Sequence, residues 1–375
     1  MKKLVLAVAL AAVAFGARAD VTVGVIVSAT GPGAAIGVPT RTGFEILPDT
    51  LGGQKARFVL LDDATDPTAA VRNARKLITE EKVDVLMGST VAPSSTAIAE
   101  VAAELKVPQI TLSPVAPAAM KNPWVYTVPQ PTKTMMAAVV KHMKANGVKR
   151  VGYLGFNDGW GDLVYNAIVE LAKESGMEVV TNERYARNDT SVTAQVLRVI
   201  SARPDAVVLG GSAVPAVLPH VTLRERGYKG PIYHNHGVIN PDFIRVGGKG
   251  IEGAYAPTGP VVVAEQLPEN NVIRKPALEF IKRYEAKFGA QSRNAFAAYT
   301  WDAYTILDRA VARALKDAAP GTQAFREALR DALEQTKDVV GAHAVYNMSP
   351  TDHSGVDERS AVLVRVENGG WKYVQ

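Results

Sequence analysis

Eight short apolar runs, each followed by a loop or a longer segment of helical spacing, constrain this chain's fold more than any other feature. The runs are Val21–Ser28, Arg57–Asp63, Val83–Gly88 and Val107–Ser113, then Arg150–Phe156, Glu178–Tyr185, Asp205–Leu209 and Pro231–His234. Their apolar residues are nearly continuous rather than alternating, the pattern of strands covered by helices on both faces. Between them Val71, Ala74, Leu77 and Ile78 recur at helical spacing. So do Val164, Ile168 and Leu171, with Gly176 placed to end that second helix. Strand–helix alternation of this kind specifies an α/β fold built on doubly wound parallel sheets.

The pattern occurs twice. Val83-Asp84-Val85-Leu86-Met87-Gly88-Ser89 is echoed by Pro204-Asp205-Ala206-Val207-Val208-Leu209-Gly210-Gly211-Ser212. A repeat at a domain-length offset means two similar lobes and not a solenoid. Turn residues at Thr127-Val128-Pro129-Gln130-Pro131 and Ala256-Pro257-Thr258-Gly259-Pro260 mark boundaries between them. Helices are expected at Lys275–Phe288, Ala297–Ala314 and Thr322–Thr336, and a last hairpin pairs Ala361–Val366 with Trp371–Val374 around Asn368-Gly369. The expected division puts residues 20–127 and 258–340 in the first lobe, and residues 128–257 and 341–375 in the second. The chain then crosses between lobes three times, wiring that suits closure on something held between them.

Residues 1–19 read as a secretory signal peptide. Lys2 and Lys3 precede the apolar run Leu4–Phe15, and Ala17-Arg18-Ala19 places small residues for cleavage before Asp20. The run is shorter than the roughly 20 apolar residues that span a bilayer. The mature chain is therefore expected in the periplasm, away from ATP and NAD. Lys2, Lys3 and Arg18 leave with the leader and no acid does, which lowers the formal charge of +5 by three. No nucleic-acid or membrane surface is expected on grounds of charge. The sequence has no Cys, which excludes disulfides, thiolate metal sites, Cys nucleophiles and a lipidated Cys anchor.

Several motifs lead away from catalysis. Gly31, Gly33 and Gly37 with Asp62-Asp63 resemble a dinucleotide fingerprint, but Pro32 stiffens the turn and the glycines lie beyond the strand end. No cofactor is expected. Asp66 is placed to cap a helix whose first residue is Pro67. His234 and His236 alternate on a strand and lack a completing Cys or acid, so no metal is expected. There is no G-x-S-x-G elbow and no nucleophile–base pair, so no catalytic residue is assigned.

What the strand ends do carry is hydroxyls and backbone. Ser89-Thr90-Val91-Ala92-Pro93-Ser94-Ser95 precedes a helix expected at Ala97–Lys106, with Ser94 or Ser95 as its N-cap. Ser113-Pro114-Val115-Ala116-Pro117 follows the next strand. Free N–H groups at a helix start, beside Ser and Thr hydroxyls, suit a carboxylate. In the second lobe Trp160, Ser212 and His236 fall at corresponding strand ends, and Trp160 either covers a bound molecule or fills the core.

Asp62-Asp63-Ala64-Thr65-Asp66-Pro67 with Ala70-Val71, Ala74 and Lys76-Leu77-Ile78, the Gly31-Pro32…Gly37 loop, Trp160-Gly161 and Gly250-Ile251-Glu252-Gly253 carry a resemblance. The chain resembles the periplasmic binding proteins for branched-chain amino acids, the extracytoplasmic receptors of ABC importers, and within them the branch that handles aromatic carboxylates. The resemblance covers essentially the whole mature chain. It implies a type I periplasmic binding protein fold of two Rossmann-like lobes joined by three hinge crossovers. It also implies a monomer without catalytic activity that delivers its ligand to a membrane permease and its ATPase.

Carried over residue by residue, the resemblance breaks at informative places. The acid that pairs with a ligand ammonium in the amino-acid receptors is matched by His236. An ammonium buried without a partner is strongly disfavoured, which makes an α-amino acid a poor ligand. The second-lobe aromatics are matched by Trp160 and by Ser212-Ala213, and the first-lobe Tyr by Ile36. The Ser that holds the carboxylate falls at Ala92, leaving Thr90 or Ser94 to supply the hydroxyl. The expected ligand set is Ile36, Thr90, Ala92, Ser94, Ser113, Val115, Pro117, Trp160, Ser212 and His236. It surrounds a flat organic acid whose far end carries a hydroxyl or nothing. A branched-chain amino-acid receptor and an exported ligand-sensing domain stand as the alternatives.

Overall fold

A computed structural model describes residues 20–374, so the leader and the cleavage point before Asp20 lie outside the described residues. The first stretch runs β1 (Val21–Val27), α1 (Ala34–Gly43), β2 (Thr50–Leu51), β3 (Gln54–Asp62), α2 (Pro67–Thr79) and β4 (Val85–Gly88). It continues through α3 (Ala92–Leu105), β5 (Gln109–Thr111) and β6 (Val125–Thr127). These strands form one sheet in the order β2-β3-β1-β4-β5-β6, parallel except for the short β2.

The second stretch repeats the plan. It comprises α4 (Thr132–Ala145), β7 (Arg150–Phe156), α5 (Gly159–Glu174), β8 (Glu178–Val179), β9 (Glu183–Tyr185) and α6 (Thr193–Ser201). Then follow β10 (Ala206–Gly210), α7 (Val217–Glu225), β11 (Ile232–His234), α8 (Pro241–Gly247) and β12 (Tyr255–Thr258). The two echoed segments become β4 and β10, each hydrogen-bonded to the first strand of its own sheet. In the first sheet β1 lies between β3 and β4, and in the second β7 lies between β8 and β10, so the strand order reverses at each. Outside the carboxyl ends of strands at such a reversal is where open α/β sheets bind ligands.

A third stretch holds α9 (Arg274–Phe288), α10 (Ala295–Ala314), α11 (Gln323–Glu334) and the small pair β13 (Val339–Val340) and β14 (Val345–Tyr346). The chain ends in β15 (Val362–Glu367) and β16 (Gly370–Val374), the expected hairpin, with β15 antiparallel to β12. Ile306, Leu307, Val311, Phe325 and Leu329 from α10 and α11 share a buried core with Val23, Val25, Val85 and Met87. Among the described residues no helix is long and apolar enough to cross a membrane.

Three local expectations need correction. The run Glu178–Tyr185 is two strands, because Thr181 Oγ1 takes the Tyr153 N–H and returns a bond to Tyr153 O, replacing ladder pairing with side-chain bonds. Helix α3 starts at Ala92 with Val91 as its N-cap, so Ser94 and Ser95 sit inside it and cap nothing. Pro93 is tolerated there because the first helical turn has no use for its missing N–H.

The third concerns the last crossing, which comes later than the 340/341 division. Ala344, Tyr346 and Met348 belong to the first-lobe core, and Thr127 N donates to His353 O. His353 stacks on Tyr126 at a centroid distance of 4.5 Å. The chain leaves the first lobe only after these contacts. The crossovers meet around buried Gln130, whose Nε2 donates to Ser360 O at 2.7 Å while its Oε1 accepts from Tyr299 at 2.7 Å.

The loops at the first sheet's reversal are held by acids in structural roles. Asp63 accepts from Ser28 Oγ, Ser89 Oγ and Thr65 N, tying the ends of β1 and β4 together. Asp62 accepts from Thr30 Oγ1 and from Ala29 N and Ala64 N. Asp66 Oδ1 caps α2 through Thr68 N at 2.7 Å, as expected. Close approach accounts for Gly37: a Cβ there would overlap the Ser28 carbonyl oxygen. Gly37→Ala is expected to cost about 2 kcal/mol or more, the range of core overpacking. Chemical denaturation checks it, and an unchanged midpoint would show that the loop yields freely.

Candidate functional site

Between the sheets' carboxyl ends lies a narrow cavity lined from both lobes, the kind of concave place where small molecules bind. Its first-lobe wall is Ile36, Thr90, Val91, Ala92, Leu112, Ser113 and Pro114, with Phe296 and Tyr299 from α10. Pro129 of the first crossover adds to it. The second-lobe wall is Trp160, Arg187, Ser212, His236 and Gly237.

Of the residues expected from sequence, Ile36, Thr90, Ala92, Ser113, Trp160, Ser212 and His236 line this cavity. Ser94 does not: its Oγ is buried without a partner, one turn into α3 and off the wall. Val115 and Pro117 instead line a neighbouring groove with Met120, Leu163 and Ala167, which shares Pro114 and Pro129 with the cavity.

Hydrogen-bond accounting sorts the polar groups. Thr90 Oγ1 accepts from Ser28 N at 3.0 Å, which leaves its proton to donate into the cavity. Ser95 Oγ donates to Ser89 O at 2.9 Å, so the 2.7 Å contact between Ser95 and Ser113 commits the Ser113 proton to Ser95. Ser113 therefore lines the cavity without a hydroxyl donor to offer. The first turn of α3 has no side-chain cap, so its N–H groups and the helix dipole favour an anion.

On the second lobe Asp158 caps α5 through Trp160 N and Gly161 N. Its other oxygen takes Arg187 Nε at 2.6 Å. The Arg187 guanidinium lies 4.3 Å from the Phe156 ring centroid and donates to Ser212 Oγ at 3.3 Å. Trp160 meets His236 edge to face, at 5.3 Å and 85°. Both His236 ring nitrogens are buried without a partner. Burial, reinforced by nearby His343, depresses its pKa to about 3, so the ring is neutral at ordinary pH.

Sequence reading missed Arg187, Phe296 and Tyr299. Arg187 follows β9 at a carboxyl strand end, and that position was the available signal. Phe296 and Tyr299 open a helix that lies far along the chain and has an amphipathic pattern like any other. Their convergence on the cleft carries no local sequence mark.

A cavity between two doubly wound lobes, bridged by crossovers that can hinge, defines the class of solute-binding receptors. The periplasmic binding protein family matches residues 20–370, and the chain belongs to that family. It is 44% identical to an extracellular ligand-binding receptor from Rhodopseudomonas palustris HaA2, over 95% of this chain and 100% of that one, with a TM-score of 0.92. It is 24% identical to Leu/Ile/Val-binding protein homolog 7 of Brucella abortus (strain 2308), over 97% of this chain and 94% of the relative. A solute-binding protein of an ABC transporter from R. palustris, solved in complex with benzoate, shares the fold. That similarity has a TM-score of 0.75 at 21% identity, covering 95% of this chain and 96% of the other. The family consists of extracytoplasmic solute receptors, not enzymes, that act with the permease and ATPase of ABC importers.

Proposed function

We propose that this chain captures a small aromatic carboxylate by closing its lobes on it, and delivers it to the permease and ATPase of an ABC importer. It works as a monomer in the periplasm once its leader is removed before Asp20. One observation carries the reading: among the described residues Arg187 is the single charged side chain on the cavity wall, and no carboxylate lines it. An amino-acid ammonium would be buried there unpaired, a penalty of several kcal/mol. An anion instead meets the Thr90 hydroxyl and the uncapped start of α3 on one lobe, and Arg187 on the other. Trp160, Phe296, Ile36 and the two prolines supply flat apolar walls for a ring. That a receptor of this fold is known with benzoate bound supports the same class of ligand. Contacts made to both lobes at once favour the closed state, since a ligand shifts the equilibrium only through such differences.

Titration calorimetry on the mature chain tests this with benzoate, 4-hydroxybenzoate, 4-hydroxycinnamate, leucine and isoleucine. At least one aromatic acid is expected to bind at micromolar Kd or tighter, with leucine weaker by about 100-fold or more. Micromolar leucine binding with no response to the aromatic acids would overturn the proposal.

A further inference from the structure

We propose that the groove beside the cleft is a second binding site, shaped for a short aliphatic carboxylic acid in its ionised form. The groove and the cleft have only Pro114 and Pro129 in common, and none of the cleft's polar residues lines the groove. Its first-lobe wall includes Val115, Pro117, Met120 and Ser354, and its second-lobe wall Thr132, Leu163 and Ala167. Two hydroxyls there are unspent, one on each wall. Ser354 is 4% exposed and Thr132 is 7% exposed, and among the described residues neither side-chain oxygen has a hydrogen-bond partner. Buried hydroxyls cost free energy unless something bonds them.

Thr132 is also the first residue of α4, and that helix start has no side-chain cap. The first bond of the helix runs from Met135 N to Pro131 O, so the N–H groups of Thr132, Lys133 and Thr134 come before it. Free N–H groups, the helix dipole and two hydroxyl protons together favour an oxyanion over an ammonium. Glu170 on the rim is committed to Lys133 Nζ at 2.7 Å, so it does not turn the groove against an anion. The rest of the lining is mostly apolar, and unbranched Met120 adapts readily to an alkyl chain. These residues are not those of the cleft, so the site does not depend on which guest the cleft takes.

Calorimetry at pH 7 on the mature chain, with hexanoate and hexylamine as probes, tests the site. Hexanoate is expected to bind with a Kd of about a millimolar or tighter, and hexylamine about tenfold more weakly. In Arg187→Ala, whose cleft no longer holds a carboxylate well, hexanoate should still bind in that range. Adding Thr132→Val and Ser354→Ala to that variant removes both hydroxyls and should weaken hexanoate by about tenfold. Leu163→Asp, at a half-buried wall position, sets a carboxylate against the probe and should weaken it by a similar factor. Melting temperatures establish that each variant is folded. No hexanoate binding would overturn the inference, as would equal binding of the amine. So would a loss on Arg187→Ala, which would place hexanoate in the cleft, or indifference to all the groove substitutions. The aromatic-acid reading stands or falls separately, on the titrations with benzoate and leucine.

Discussion

Arg187→Ala is expected to weaken binding of an aromatic carboxylate by about 100-fold while leaving the fold intact: the Arg187–Asp158 pair is partly buried, a bound guest shields it further, and truncating one member of a charge pair desolvated on binding costs about 2–5 kcal/mol. The substitution does two things. It removes the one cation that lines the cavity among the described residues, and it leaves Asp158 held by Trp160 N and Gly161 N with no counter-charge. The second effect turns a neutral wall into one that repels an anion. Arg187→Lys keeps the charge but cannot reproduce a planar guanidinium lying on Phe156, so it should recover part of the affinity. Arg187→Ala combined with Asp158→Ala should bind better than Arg187→Ala alone. Dissociation constants from calorimetry, with melting temperatures as a control for folding, check the series. A single variant within threefold of wild type would show that Arg187 only lines the cavity.

The largest stability effect is expected at Asp302, a fully buried carboxylate on α10. It accepts from Ala342 N at 2.6 Å, His343 N at 2.9 Å and Tyr346 Oη at 2.9 Å. These bonds hold the segment that leads to the last crossover against the first lobe. Asp302→Ala leaves the Ala342 and His343 N–H groups buried without an acceptor, at about 1–3 kcal/mol for each unsatisfied group, while Tyr346 Oη keeps Val128 O at 3.3 Å. A total loss of roughly 3–5 kcal/mol is expected after relaxation, measured by denaturant unfolding.

The same residue gives a pH signature. Burial outweighs its three hydrogen bonds and raises its pKa from 3.8 to about 7. The fold thus prefers the neutral acid more than the unfolded chain does. Its contribution is full below about pH 4 and is lost as pH rises through about 7. Relative to Asp302→Asn, which does not titrate, the wild type should gain stability as pH is lowered from 8 to 5. A difference that stays constant over that range would place the carboxyl in its ordinary range.

Much of this architecture was legible locally. Strand β7 spans Arg150–Phe156 as its apolar run predicts, and α9 begins one residue from the expected Lys275. Asp66 caps α2 because an Asx side chain and a following Pro specify a helix start from neighbours alone. The start of α3 was misread because Ser94 and Ser95 look like caps, whereas Val91 in extended conformation precedes the first turn. The last crossing was misplaced because Tyr346 and His353 are held by first-lobe partners more than 200 positions away in the chain. No short-range pattern records such contacts.

The candidate site divides the same way. His236, Trp160 and Thr90 stand at strand ends, so periodicity and turn chemistry brought them forward. Ser113 reached the cavity wall, but its proton was already committed to Ser95, a fact of geometry and not of composition.

By itself the sequence determined two doubly wound lobes joined by crossovers, since apolar spacing and turn residues act over a few positions and each names its own element. Only the tertiary structure decided the character of the cleft. Arg187, Phe296 and Tyr299 reach it from separate elements, and the pairing of Arg187 with Asp158 sets its charge. Such convergence depends on how distant elements pack, and that information is spread over the whole chain.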